Sequence, residues 1–347
     1  MISGQATREG TQQFVNRCSP PTAKGLYRQT QKLTVSNIGI GTYLGATDQQ
    51  TDDAYVTSIR AALAGGINFI DTASNYRHQR SERAIAVALK DFFENRNGKR
   101  EEVMICTKAG FVVPGATPEN LKASDIVNGM HCLAPDFLMD QLERSRQNLN
   151  LETIDVFYLH NPEMQLSAVA PTDFYGRMRA AFERLERAVS DGLIAYYGTA
   201  TWNGYRTSAA NEALSLRTLD TIAREIAGDQ HHFRFIQMPI NVSMPEAFTR
   251  PVEGDKNMLD LASALSISVI ASASLLQAEL ANNLSPKIAE TFPGATTNAQ
   301  RAIQFTRSTP GVSVALVGMS NPAHVMENLA IASVAPATQE EYIRLFQ

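Results

Sequence analysis

From Val35 onward, short β-branched or apolar runs alternate with longer amphipathic stretches. The runs that read as strands are 38–42, 67–71, 103–108, 154–160, 195–200, 233–238, 266–271 and 313–317. Apolar positions at helical spacing fill the intervals, over 52–64, 81–94, 135–149, 172–190, 205–226, 255–265, a split segment 275–307, and 322–333. Asp191-Gly192 closes one of these helices as a C-terminal glycine does. Strand followed by crossover helix is the pattern of parallel α/β architecture. Eight such units predict one domain, a closed (β/α)8 TIM barrel. An open doubly wound sheet would show the same alternation, and Gly39, Gly41 and Gly45 superficially resemble its dinucleotide-binding loop. Their spacing, G-x-G-x-x-x-G, is one residue too long, and the next helical pattern starts only after Asp48.

Two stretches exceed simple connections. Residues 110–134 follow the third strand and are rich in Pro, Gly and Asn. Loops of that length in a compact domain are usually functional or disordered, and this one is expected to cover the barrel mouth. Residues 1–30 form a polar extension, read as a strap or hairpin outside the barrel, with 31–347 as the barrel itself.

Composition narrows the function classes. The 347 residues carry 31 Lys plus Arg against 35 Asp plus Glu, a net charge of −4, and the longest basic corner is Gly98-Lys99-Arg100. A nucleic-acid partner is therefore not expected, since phosphate-backbone recognition needs a basic surface. Hydrophobic residues at 44% and charged residues at 19% indicate a globular chain. Cys18, Cys106 and Cys132 are far apart and form no CxxC pair, so reduced thiols and no metal site are expected. Residues 1–10 lack a basic stretch followed by an apolar core, and the apolar run 267–276 is well short of the ~20 residues that span a bilayer. The expectation is a soluble cytoplasmic protein with no membrane association.

In a barrel of this kind, chemistry gathers at the C-terminal ends of the strands, where the loops form one face. Those ends carry Asp71, Lys108 and His160; Trp202 lies just past the fifth, and Tyr76 follows Asp71 by one short loop. Singly, each has an ordinary role, as helix cap, solvated charge, satisfied hydrogen bonder or packing aromatic. Together on one rim they point to acid–base chemistry.

The stretches that hold these residues resemble the aldo-keto reductase superfamily. The resemblance rests on Gly41-Thr42-Tyr43, the run from Gly66 through Asp71-Thr72-Ala73 to Tyr76, Thr107-Lys108, Tyr158-Leu159-His160-Asn161-Pro162, Gln237, and the segment from Gly318 to Asn328. It implies a tetrad of Asp71, Tyr76, Lys108 and His160 in a nicotinamide-dependent oxidoreductase. Such an enzyme reduces an aldehyde or ketone, a small-molecule carbonyl substrate, by hydride transfer from NADPH with Tyr76 as proton donor. A tyrosine titrates near 10. Lys108 is expected to bring Tyr76 closer to working pH, with Asp71 holding Lys108 charged and His160 hydrogen-bonding the carbonyl oxygen.

The same resemblance implies NADP(H) as cofactor, with Gly41, Thr42, Tyr43, Asp71, Thr201, Gln237, Gly318, Ser320, His324, Glu327 and Asn328 as binding positions. Gln237 matches the position that bonds the carboxamide, and Glu327-Asn328 the pair that reads the adenine. Three positions depart from the family pattern. The Ser-Asn pair after strand five is Ala200-Thr201, the stacking aromatic at strand seven is Ser272, and the places of Lys or Arg against the 2′-phosphate hold Gly318 and His324. Ser320, Asn321 and the N–H groups of the helix beginning near Pro322 remain for that phosphate, which keeps NAD(H) open as an alternative. Tyr43, Phe111 and Trp202 are expected to line the substrate pocket, with Met130 and His131 as further contacts. The departures leave two other readings: a redox-silent relative that binds a cofactor or partner, and a lyase or isomerase reusing the Tyr-Lys-His set.

Overall fold

The computed structural model describes every residue except Asn120 and Ala210. Eight parallel strands close into a barrel. They are β1 (Ile38–Gly41), β2 (Phe69–Asp71), β3 (Met104–Ala109), β4 (Ile154–His160), β5 (Ile194–Ala200), β6 (Phe233–Pro239), β7 (Ser268–Ser272) and β8 (Val312–Gly318). Each pairs with the next, and β8 returns to β1 through Ala315↔Ile38 and Gly318↔Gly41. The helices outside the ring that follow its strands include α1 (Gln49–Ala64), α2 (Arg80–Asn95), α3 (Pro135–Leu149), α4 (Pro171–Ser190), α5 (Leu216–Ala227), α6 (Met258–Ala264), α7 (Asn298–Ser308) and α8 (Pro322–Leu329).

Local chemistry sets the helix starts. Asp48, Ser215, Asn257 and Thr297 each accept a hydrogen bond from a backbone N–H in the first turn of α1, α5, α6 and α7, while α3, α4 and α8 open on proline. Three expected helices are corrected by this punctuation. The helix expected over 205–226, which takes in Ala210 outside the described residues, begins at Leu216 because Ser215 caps it. The helix expected from 255 begins at Met258, after a two-stranded hairpin of Pro251–Glu253 and Lys256–Asn257. The split segment 275–307 resolves into Glu279–Asn282, Pro286–Thr291 and α7, preceded by left-handed turns.

Apolar residues fill two shells. Inside the ring, Phe69, Met104, Cys106, Val156, Tyr158, Phe235, Ile270 and Val314 pack against one another, and a larger cluster lies between strands and helices. At the N-terminal end of the chain, helix Arg8–Cys18 is followed by an antiparallel hairpin, Tyr27–Thr30 with Leu33–Ser36. Its turn passes through Gln31 and Lys32, both at positive φ, as two-residue hairpin turns require. Leu33 and Val35 join the inner cluster, so the hairpin, which straddles residues 30 and 31, closes the end of the barrel remote from the strand C-termini. Beside it, the buried Asp155 carboxylate accepts from Ala6 N at 2.6 Å, Ile105 N at 2.7 Å and Arg100 at 2.7 Å. Among the described residues no helix is long and apolar enough to cross a membrane.

Asp155→Ala leaves the Arg100 guanidinium buried without its acid, a change that typically costs about 3–5 kcal/mol. Urea denaturation should show that loss as a lower midpoint; an unchanged midpoint would mean that the pair is incidental to closure.

Candidate active site

The C-terminal ends of the strands surround a cavity of about 500 Å³. Asp71, Tyr76 and His160 line it, and Lys108 lies beneath with no exposed side-chain surface. Register explains how the buried lysine is reached. Asp71 sits opposite Cys106, two residues below Lys108 on β3, so the lysine stem extends over the end of β2. Lys108 Nζ then donates to Asp71 Oδ1 at 2.5 Å and to the Thr72 carbonyl at 2.7 Å. From across the barrel, Gln237 Nε2 donates to Asp71 Oδ2 at 2.9 Å. Burial would push the Lys108 ammonium down, but the charges and hydrogen bond of Asp71 and the nearby Tyr76 hold it above its ordinary range.

Tyr76 is carried by the turn between β2 and α2. Arg77, His78 and Gln79 are all left-handed there, at φ of 50°, 52° and 67°. Arg77 anchors that conformation: its guanidinium is buried, pairs with Asp52 at 2.6 Å, donates to Ala46 O at 2.7 Å and lies 5.3 Å from the Tyr55 ring. The half-buried Tyr76 ring is thereby set 5.0 Å from Lys108 Nζ, 5.0 Å from the Tyr43 ring and 5.7 Å from the His160 ring.

The expectation that Lys108 leaves Tyr76 more acidic is corrected. The ammonium pulls the phenol down as anticipated, but burial and the opposing charge of Asp71 outweigh it, and the phenol lies above its ordinary value. Tyr76 is therefore a protonated phenol at neutral pH. His160 moves the other way: burial, with Lys108 and His131 beside it, pushes its imidazole well below the usual histidine range. The neutral ring has a buried Nδ1 without a partner among the described residues.

The other anticipated residues divide into two groups. Gly41, Thr42, Tyr43, Phe111, Thr201, Trp202, Gln237 and Gly318 border the cavity. Ser320, His324, Glu327 and Asn328 do not; they lie beyond β8 and on α8, with His324 and Glu327 exposed and Asn328 buried. Asn321 caps α8, accepting from Ala323 N at 3.0 Å. Thr201 Oγ1 and Asn328 Oδ1 are buried polar atoms without partners among the described residues. In the loop after β3, Phe111 meets the cavity and packs edge-on against His160 at 5.0 Å. Met130 is exposed and His131 is fully buried, and neither borders the cavity. His131 serves the loop's own anchorage: Nε2 donates to His160 O at 2.7 Å, and Nδ1 accepts from Gln165 at 3.0 Å.

Sequence reasoning missed one wall. Ala273, Ser274, Leu275, Gln277 and Ala278, after β7, border the cavity. Ala273, Leu276, Gln277 and Ala278 are left-handed, and without a glycine among them nothing in the sequence marks the turn.

With this geometry in place, the comparisons with known proteins are consistent with one class. The sequence model of the aldo/keto reductase family matches residues 37–225, more than half of the chain. An aldo/keto reductase from Klebsiella pneumoniae, solved with NADP and acetate, superposes with a TM-score of 0.65 at 19% identity, covering 93% of this chain and 94% of that one. The aldo-keto reductase AKR11C1 from Bacillus halodurans gives 0.65 at 20% identity over 93% and 95% of the two chains. The glycerol dehydrogenase AKR11B4 from Gluconobacter oxydans gives 0.66 at 20% identity over 94% and 95%. The chain belongs to the aldo/keto reductase family.

Burial lowers His131 from 6.5 to about 4. Between these values the unfolded chain binds a proton that the native chain does not, so this residue lowers stability as pH falls from 6.5 toward 4, by about 3 kcal/mol at the limit. Urea midpoints at pH 7 and pH 4.5 should separate more in the wild type than in His131→Gln, which keeps a donor and an acceptor. Equal separations would remove His131 from the acid response.

Proposed function

We propose that this protein is an NADP(H)-dependent oxidoreductase that reduces an aldehyde or ketone to an alcohol, with Tyr76 delivering the proton. The observation that carries this reading is the assembly, on one cavity, of a protonated phenol, a neutral imidazole and a buried ammonium neutralised by Asp71. A reduced nicotinamide, when bound, supplies the hydride. The chain's own residues handle the rest. His160, neutral, can donate a hydrogen bond to a carbonyl oxygen and set its position beside Tyr76. Tyr76 gives that oxygen its proton, and Lys108 stabilises the phenolate left behind.

The residues present fit a nicotinamide. Thr201 Oγ1, buried and unpartnered beside the cavity, supplies a hydrogen bond to a carboxamide, in the place where the family pattern has a Ser-Asn pair. Gln237 is within the same group, tied at present to Asp71. Asn328, with an unpartnered buried oxygen, and the exposed Glu327 suit the adenine end. The Klebsiella pneumoniae reductases solved with NADP and with NADPH support this choice of cofactor. An aldehyde or ketone would meet Tyr43, Phe111 and Trp202, three aromatic side chains at the mouth.

Tyr76→Phe should reduce kcat for an aldehyde by about 10²–10⁴ while leaving NADPH affinity close to wild type, because positioned proton transfer contributes that range. Loss of nicotinamide absorbance and NADPH titration read the two separately; a variant that keeps normal turnover would remove Tyr76 from the role.

Between Gly318 and Asn328 there is no Lys or Arg. Grip on a 2′-phosphate then falls to Ser320, the Asn321 amide and His324, and charge-assisted bonds are the strong ones. NADPH should accordingly exceed NADH by less than about tenfold in affinity, and His324→Arg should raise NADPH affinity alone by about tenfold. Thermal shifts with each dinucleotide measure both. A wild-type preference of several hundredfold would show that other residues hold the phosphate.

A further inference from the structure

One buried acid near the cavity has no part in the chemistry above. Glu163 is 5% exposed and lies three residues past His160, on the turn Pro162–Ser167 that follows β4. Its Oε1 accepts from Trp202 N at 2.7 Å and Asn203 N at 3.2 Å, while Oε2 is buried without a partner among the described residues. Burial holds the carboxyl above its ordinary range, and the N–H groups of Trp202, Glu163 itself, Asn203 and Gly204 offset part of that rise. A buried carboxylate held by backbone donors, with no cation in its hydrogen-bonding set, is costly to keep for packing alone.

What it holds is the segment leaving β5. Thr201 and Trp202 both border the cavity. Thr201 N donates to Gln237 O at 2.8 Å, which fixes the segment on the β6 side. Leu214 N donates to Gly204 O at 2.7 Å, which fixes its far end. On the β4 side, the fixing contacts to Trp202 and Asn203 come from Glu163. His160 and Ala200 are register partners, so the same turn that follows the imidazole reaches across to the segment that carries the unpartnered Thr201 hydroxyl.

We propose that Glu163 is a positioning residue, whose carboxylate clamps the Trp202–Asn203 backbone and so presents the Thr201 hydroxyl and the Trp202 indole to the cavity. Its benefit to ligand binding rests on the nicotinamide reading of that cavity; its hold on the segment does not.

Trp202 is the sole tryptophan in the chain, so intrinsic fluorescence reports this segment directly. Glu163→Gln retains an accepting oxygen and alters the atom that has no partner. Glu163→Ala removes the acceptor, and Glu163→Asp withdraws it by one methylene. In the cofactor-free protein, acrylamide quenching of Trp202 should rise in the Ala and Asp variants and stay near wild type in Gln. NADPH affinity should fall about tenfold in Ala and Asp, with a smaller change in kcat at saturation, and remain within about twofold of wild type in Gln. If Ala does not fold, Asp against Gln carries the comparison. Wild-type quenching in the folded Ala or Asp variant, or a Gln variant as perturbed as they are, would overturn the proposal. Should the wild type bind no dinucleotide, the nicotinamide reading fails while the quenching comparison still decides the clamp.

Discussion

The ammonium of Lys108 is the constraint around which the upper half of the barrel is arranged. A charge with no exposed surface costs several kcal/mol in lost hydration unless it is paired and hydrogen-bonded. Three elements meet that requirement together. β3 supplies the lysine, the end of β2 supplies the Asp71 carboxylate and the Thr72 carbonyl, and β6 supplies Gln237 to the second oxygen of Asp71. β2 and β6 are not neighbours, so the network exists only once the ring has closed. An open sheet of the same strands would keep the lysine beside Asp71 but leave Gln237 apart and the second oxygen of Asp71 without that donor.

That rigid base permits strain above it. Non-glycine residues in left-handed conformations each cost on the order of 1–3 kcal/mol where the surroundings must enforce them. Here they cluster on the two turns that border the cavity, Arg77 to Gln79 after β2 and Ala273 to Ala278 after β7. The first is enforced by the buried Arg77 guanidinium, tied to Asp52 and to the Ala46 carbonyl. Its result is the placement of Tyr76 over the lysine. The second is held in part by Asn241, whose amide donates to Ala273 O at 2.9 Å.

How much of this could be read from the sequence follows from which interactions are local. The alternation of apolar runs and amphipathic stretches made the eight strands legible, because strand and helix periodicities are written along the chain. The meeting of Asp71, Lys108 and His160 at one end of the ring was legible because barrel geometry places strand ends on one face. The 205–226 pattern misled because periodicity continued through residues that precede the Ser215 cap. His131 looked like a loop-tip contact, yet its two ring nitrogens face His160 and Gln165, and contacts between remote segments leave no periodic trace. The β7 turn was illegible for a different reason: left-handed alanine and glutamine carry no compositional mark. The sign of the Tyr76 shift was missed because a nearby cation is visible in a motif, whereas the extent of burial is not.

That sign has a chemical consequence. Two unit charges about 5 Å apart interact by about 3 kcal/mol at an effective dielectric constant of ~20. The Lys108 ammonium alone would therefore lower the phenol substantially at its 5.0 Å separation from the ring. Asp71, hydrogen-bonded to that ammonium, cancels much of the field, and burial of the hydroxyl then decides the resting state in favour of the protonated form. The balance suits a donor that must hold its proton until an oxygen beside it becomes basic. In the proton transfer proposed for Tyr76, the attraction of the ammonium for the new phenolate would be felt at short range in a poorly hydrated pocket. In the proposed transfer Lys108 thus acts on the phenolate more than on the phenol, with Asp71 moderating its field in both states.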